Sequence, residues 1–277
     1  MSASQQIYAA PFDAIAARYD ETFSSSKIGQ AQRAAVWMEL AKAFLPGDRV
    51  LEIGCGTGVD ACFLAKRGVH VTACDSSPQM IAVAKRRIEE NGLQQFVQTR
   101  VLRAEEIAAL DTNESFDGAF SNFGVLNCIA GLGQFARDLA QRVKPGASVL
   151  LCWMGPCCLW EMGWYLVQGD REKAFRRLKR DGVTAKIADG AFLRVHYPSV
   201  KSLVYAFAPQ FRLTDLKGIG VAVPPSYLEP WAQHHPQLFQ VCERADSLLG
   251  HCPGVRVLAD HILVRLQREN VADGGKP

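Results

Sequence analysis

Three glycines at alternate positions, Gly54, Gly56 and Gly58, follow the apolar run Val50-Leu51-Glu52-Ile53 and precede a stretch of helical spacing that carries Cys62, Phe63 and Ala65. A strand that ends in such a loop and passes straight into a helix suits a nucleoside ligand. Glycines let the backbone approach closely, and the first helical turn presents unpaired N–H groups. The dinucleotide fingerprint is G-x-G-x-x-G, whereas here Val59 and Asp60 follow Gly58, so the third glycine falls one residue early. Carboxylates flank the loop. Glu52 precedes it, and Asp75 closes the next apolar run, Val69 to Cys74, where its two oxygens can accept from both hydroxyls of a ribose.

These groups need a rigid sheet behind them, and the hydrophobic pattern predicts one. Helical spacing over Pro11 to Phe44 marks apolar faces at Phe12, Ile15, Ala16 and Tyr19, then at Val36, Leu40 and Phe44 after a serine-rich break. Strands are expected at 50–53, 69–74, 96–102, 116–120 and 148–153, with helices between them. Ser76 or Ser77 can cap the helix whose buried stripe is Met80, Ile81, Ala84 and Ile88. Strands alternating with helices imply a doubly wound α/β fold with a parallel sheet. The alternation then breaks: a helix is expected from Cys158 to Arg180, a hairpin from Thr184 to Tyr197 turning at Asp189-Gly190, and a helix from Ser199 to Phe207. Strands are expected from Phe211 to Val221 and from Val257 onward, separated by a proline-marked irregular excursion. The expected organisation is a helical cap at 1–44, a core at 45–154, a cap insertion at 155–209, the end of the sheet at 210–268 with an insertion at 222–254, and a tail at 269–277.

Composition narrows the partners. Thirty-one Lys plus Arg against twenty-eight Asp plus Glu leave a net charge of +3, too little for an electrostatic grip on nucleic acid, and a small-molecule partner is expected. Nine cysteines, an odd count without C-x-x-C spacing, read as reduced thiols in a cytoplasmic protein rather than as a disulfide framework or a metal site. The apolar stretch Ala147 to Val167 imitates a membrane span, but Gly155-Pro156 splits it into a strand and a helix.

The run Val50-Leu51-Glu52-Ile53-Gly54-Cys55-Gly56-Thr57-Gly58 resembles the first motif of the class I S-adenosylmethionine-dependent methyltransferases. In order and at the family's spacing follow "HVTACDSSPQM" (70–80), "FDGAFSNFGVLNC" (116–128) and "VKPGASVLL" (143–151), so that the resemblance covers residues 45 to 154. It implies a Rossmann-like seven-stranded sheet with an antiparallel last strand, a helical and hairpin cap insertion, and S-adenosylmethionine as cofactor. Gly54, Cys55, Gly56 and Gly58 would lie against methionine and ribose, Glu52 would orient the loop or reach the amino group through water, and Asp75 would bind the ribose. Ser76 and Met80 would flank the adenine, and Ser121, Asn122 and Phe123 the methionine part. Where many members have Gly-Asp-Ala-Glu this chain has Leu102-Arg103-Ala104-Glu105, so Ala104 or Glu105 would take over the contact to the adenine amine. The opening "FDAIAARYDETF" (12–23) is similar to small-molecule members that methylate quinone precursors; Tyr19 would cover the sulfonium and Arg33 would pair with the cofactor carboxylate.

Methyl transfer is an in-line displacement at an already activated carbon, so alignment and exclusion of water suffice unless the acceptor must lose a proton. His196 and Glu161 are the candidate bases. Tyr8, Phe123, Trp153, Trp160, Trp164 and Tyr165 are the candidate walls for the acceptor. The basic run Arg171, Lys173, Arg176, Arg177, Lys179 and Arg180 would suit an anionic acceptor, although Glu172 and Asp181 beside it favour a solvated face. The competing readings are a non-catalytic S-adenosylmethionine sensor and a nicotinamide-dependent oxidoreductase.

Overall fold

The computed structural model describes residues 10–110 and 115–270. Five parallel strands open the sheet: β1 (Arg49–Ile53), β2 (His70–Asp75), β3 (Val97–Val101), β4 (Phe116–Ser121) and β5 (Val143–Met154). Two more, β8 (Phe211–Ile219) and β9 (His261–Arg268), complete it in the order β3-β2-β1-β4-β5-β9-β8, with β9 antiparallel to both neighbours. Strand order reverses at β1, which pairs with β2 on one side and β4 on the other. A crevice therefore opens at the carboxyl ends of these strands, where Gly54 leaves β1 and Asn122 leaves β4.

Helices cover both faces. On one, α2 (Val59–Ala65) and α3 (Pro78–Glu90) pack on β1 to β3, and α1 (Lys27–Ala43) reaches β8, where Lys217 pairs with Glu39; on the other, α4 (Leu132–Arg142) and α7 (Val200–Phe207) pack beside β5 and β8. Local chemistry sets the start of α3: the Ser77 hydroxyl accepts from Met80 N, Pro78 fills the first turn, and Met80, Ile81, Ala84 and Ile88 are buried. Gly58 sits at a left-handed φ of +77° directly under α3, where a Cβ would stand 2.9 Å from Ala84 Cβ; only glycine lets the loop and that helix close together.

The cap departs from expectation in three places. The helix expected from Cys158 to Arg180 is broken into α5 (Leu159–Val167), α6 (Arg171–Ala174) and a 3-10 turn at Arg176–Leu178. Gly169 takes a left-handed φ of +77°, and Asp170 caps the restart by accepting from Lys173 N. The expected hairpin is present as β6 (Val183–Ala188) and β7 (Ala191–Val195). The excursion at 222–254 is not irregular: it holds α8 (Glu229–His234) and α9 (Pro236–Leu249), because Pro230 and Pro236 stand in first helical turns, where proline starts helices instead of breaking them. The last strand begins at His261, not Val257, since Arg256–Leu258 forms a 3-10 turn. The chain from Ala147 to Val167 divides into β5 and α5, and among the described residues no helix is long and apolar enough to cross a membrane.

The amino-terminal segment folds as a 3-10 helix at Pro11–Arg18 and a π-helical turn at Asp20–Ser24 before α1 begins. It lies against α3 and against the hairpin, so the segment and the hairpin together roof the crevice.

Candidate functional site

Two confluent cavities fill the crevice and share Phe12, Gly54, Asp75, Val125, Cys128 and Leu193. The smaller, about 410 Å³, is lined by Ser76, Leu102, Arg103, Ala104 and Glu105. The larger, about 790 Å³, runs from Tyr19, Gly56, Met80, Asn122 and Phe123 outward to Met154, the hairpin and the segment after α5.

The glycine loop forms the floor. Gly54 and Gly56 have φ of +73° and +51°; a Cβ at Gly56 would project into open space, and one at Gly54 would strike Val125 Cγ2 at 2.1 Å. Backbone is therefore what the cavity meets here. Asp75 anchors the loop: Oδ2 accepts from Gly56 N at 2.8 Å and Oδ1 from Ser77 N at 2.9 Å. Burial raises its pKa above the usual carboxylate range against the pull of those two donors.

The inner wall is a cluster of buried charge. Arg33 Nη1 donates to Asp60 Oδ1 at 2.5 Å, Trp37 Nε1 donates to the same oxygen at 2.8 Å, and Asn122 Nδ2 donates to Asp60 Oδ2 at 2.9 Å. That last bond fixes the Asn122 amide and leaves Oδ1 buried without a partner among the described residues. Glu52 Oε2 is likewise unpartnered, and burial, reinforced by Asp60 and Asp75 and opposed by Arg33, lifts the Glu52 pKa well above its usual value. Phe123 carries the only positive φ among the described non-glycine residues, +53°. Its ring lies 5.0 Å from the Arg33 guanidinium and edge-on to Phe23 at 5.2 Å. A bulky residue held in that conformation marks a position where geometry outweighs local comfort.

Carboxylates latch the roof. Asp13 Oδ1 accepts from Ser77 Oγ at 2.5 Å and from Gln79 N at 3.3 Å, at the start of α3. Asp20 accepts from Thr57 Oγ1 at 2.7 Å and pairs with Arg87, which also donates to Thr57 O at 2.9 Å. Burial would raise the Asp20 pKa, but Thr57 and Arg87 hold it below the usual range. The latch can be read without any ligand: Asp20→Asn removes the ion pair and is expected to speed tryptic cleavage at Arg18 roughly tenfold, by populating the open segment. An unchanged cleavage rate would show that Asp13 and packing alone hold the roof.

Sequence reasoning missed Phe12, Val125, Met154, Leu193 and Tyr197 on the cavity wall; the period-two alternation of the hairpin was the signal available for Leu193. Of the expected site residues, Tyr19, Gly54, Gly56, Asp75, Met80, Asn122 and Phe123 come together at the larger cavity, and Ser76, Ala104 and Glu105 at the smaller. Gly58 packs on α3, Cys55 is buried beneath the loop, and Ser121 Oγ ties β4 to β1 by donating to Ile53 O at 2.8 Å. Arg33 and Glu52 lie behind the wall. Tyr8 lies outside the described residues.

The expected bases stand elsewhere. His196 lines an adjoining groove with Leu126, Ser199 and Ala206, and that groove shares only Lys179 and Tyr197 with the larger cavity. Glu161 is 1% exposed and accepts from Arg176 Nε and Nη2 and from Arg177 Nη2, each at 2.9 Å, which holds its pKa below the usual range against the opposing effect of burial. Nor do four of the expected aromatic walls line the cavity. Trp153 is buried with Nε1 donating to Pro198 O, Trp160 donates to Ala222 O beside Trp231, Trp164 is exposed, and Tyr165 packs against Tyr227. Helical spacing shows that such rings share a face, but not which neighbour that face meets.

Residues 50–149 match the model described as "Methyltransferase domain". Over 146 residues the chain is 32% identical to a demethylmenaquinone methyltransferase of Clavibacter sepedonicus, a match covering 52% of this chain and 56% of that protein. Over 111 residues it is 35% identical to a ubiquinone biosynthesis O-methyltransferase of Xanthomonas campestris pv. campestris, covering 40% and 45%. The chain thus spans about half the length of the curated relatives it matches. In fold it is similar to the CcbJ methyltransferase of Streptomyces caelestis, with a TM-score of 0.61 at 17% identity over 94% of this chain and 98% of that one. Sheet order and glycine loop agree with the match over residues 50–149, which carry a methyltransferase domain.

Proposed function

We propose that this chain transfers a methyl group from S-adenosylmethionine to a small, partly apolar acceptor of the quinone-precursor type. The observation that carries this reading is the acid-rich inner end of the crevice. Glu52, Asp60 and Asp75 outnumber Arg33, and Asn122, whose buried Oδ1 has no partner among the described residues, lines the larger cavity. Acceptors without donors beside an open backbone floor fit a ligand that carries an ammonium and a sulfonium, and they repel a dinucleotide diphosphate. Asp60 and the Asp20–Thr57 bond also occupy the start of α2, where a diphosphate would dock. A nicotinamide-dependent oxidoreductase is disfavoured on that ground. A pure sensor would not need the apolar wall of Met154, Val183, Ile187 and Leu193 beyond the cofactor residues. The relatives named for demethylmenaquinone and ubiquinone biosynthesis support an acceptor of that kind.

S-adenosylmethionine, when bound, supplies a methyl carbon already activated by a positive sulfur. Asp75 and the Gly54–Gly56 backbone would hold its sugar, Ser76, Ala104 and Glu105 its base, and Asn122 its amino group. Arg33 acts at one remove: it fixes Asp60, which fixes the Asn122 amide. Tyr19, Phe123 and the hairpin line the cavity, where the two rings would exclude water between the ligands and the hairpin would set the acceptor in line. No proton transfer is assigned to His196 or Glu161, so the reaction rests on alignment and on an acceptor that arrives ready to attack.

Two measurements test this. Calorimetry with S-adenosylhomocysteine and with NADH is expected to give binding of the first alone. Incubation with methyl-labelled S-adenosylmethionine and an extract of cellular lipids and metabolites is expected to leave label on an extractable small molecule. Tighter binding of NADH would sink the cofactor assignment, and retention of all label on the cofactor would favour the sensor.

A further inference from the structure

The outer wall of the larger cavity carries cations that the cofactor does not need. Lys173, Arg176, Lys179 and Arg194 all line it, together with the carboxylates Asp170 and Glu172 and the phenol of Tyr197. Lys173 pairs with Asp170 at 3.0 Å and Lys179 with Glu172 at 2.8 Å, both pairs in solvent, where such contacts are weak and easily exchanged. Arg194 donates to Asp181 O and meets no carboxylate among the described residues.

Arg176 differs in being built in. Its Nε and Nη2 are clamped by the two oxygens of the buried Glu161, and its guanidinium lies 5.9 Å from the Tyr165 ring. Among the described residues Nη1 has no acceptor, and the side chain remains 34% exposed at the cavity wall. Glu161 is shared with Arg177, whose guanidinium stands 5.6 Å from the Tyr197 ring. The Tyr197 hydroxyl also makes no hydrogen bond among the described residues, although its ring reaches the cavity. A guanidinium fixed on one edge and open on the other is pre-organised to donate to an oxyanion with little loss of side-chain entropy.

We propose that this wall is an oxyanion subsite: the acceptor carries a carboxylate or phosphate that docks on the free edge of Arg176 and the Tyr197 hydroxyl, while its apolar body follows the hairpin toward Phe123. The inference deepens the methyltransferase reading and rests on it for the word acceptor, but the subsite itself can be measured apart from that reading. The probes are octanoate, octyl phosphate and octanol, titrated calorimetrically into the native protein, into Arg176→Gln and into Tyr197→Phe, each with and without saturating S-adenosylhomocysteine. One or both acids are expected to bind at least about tenfold more tightly than octanol, and which acid leads identifies the group. Arg176→Gln is expected to erase that preference and Tyr197→Phe to reduce it about threefold, with S-adenosylhomocysteine affinity unchanged in both variants. Equal affinity for the three probes, no binding of any, or a preference undiminished in both variants would overturn the subsite. Failure of S-adenosylhomocysteine to bind the native protein would instead overturn the cofactor reading, leaving the comparison of acids with octanol in cofactor-free protein intact.

Discussion

Asp75→Ala is expected to weaken S-adenosylhomocysteine binding by about 100-fold or more while changing Tm little. The affinity loss follows from removing an ionised acceptor that can serve two ribose hydroxyls, each charge-assisted bond contributing roughly 1.5–3 kcal/mol. The small change in stability follows from two opposing effects. Gly56 N–H and Ser77 N–H lose their acceptor, which destabilises the loop. Against that, the Asp75 pKa is raised by burial, so in the free protein its ionised form costs stability above that pKa, and the variant is relieved of the cost. Calorimetry and thermal denaturation on the same preparation separate the two. If affinity and Tm fell together, Asp75 would be a structural residue of the loop; if affinity held, the ribose assignment would fail.

The second large effect is on folding. Arg177 is the only described cation bonded to both buried acids of the cap and sheet: Nη2 donates to Glu161 Oε2 at 2.9 Å and to Asp260 Oδ1 at 2.7 Å, and Nη1 donates to Asp260 O at 2.9 Å. Arg177→Met leaves two carboxylates short of a partner in the interior, and breaking such a pair costs about 3–5 kcal/mol. A Tm lower by roughly 10 °C is expected. The pH dependence supplies the sign. Burial alone would raise the Asp260 pKa, but His261 and Arg177 hold it well below the usual range; Glu161 is likewise held low by Arg176 and Arg177. Acids with depressed folded pKa values add stability that is full above their ordinary range and is lost as pH falls through the depressed values. The native protein should therefore lose stability on acidification below about pH 4, and the gap between native and Arg177→Met should narrow there. A gap constant with pH would show that lost packing, not charge, sets the cost.

How much of this was legible in the chain depends on the range of the interaction concerned. The glycine loop was legible because its demands are local: a left-handed backbone at Gly54, Gly56 and Gly58 favours glycine, and the close approach of Gly58 to α3 leaves no room for a Cβ. Asp75 followed from its place at the end of β2, and the hairpin from Asp189-Gly190 between two alternating strands. The cap was read less well. The periodicity over Cys158 to Arg180 does continue, but Gly169 and Asp170 interrupt the helix, and the prolines at 230 and 236 open helices where a break was expected.

The sequence by itself determined the parallel sheet, the crevice at its switch point and several of the residues that line its inner end, because those features arise from strand pattern and backbone conformation within short stretches. Only the tertiary structure decided the other half of the site. Glu161 and Trp153 turned out to be buried supports and Trp164 an exposed residue, while Arg176, Tyr197 and the hairpin line the larger cavity. The physical reason is that the fate of a polar side chain is set by its partner. Partners such as Glu161 with Arg177, or Arg177 with Asp260, 83 residues away, meet only after the chain has folded.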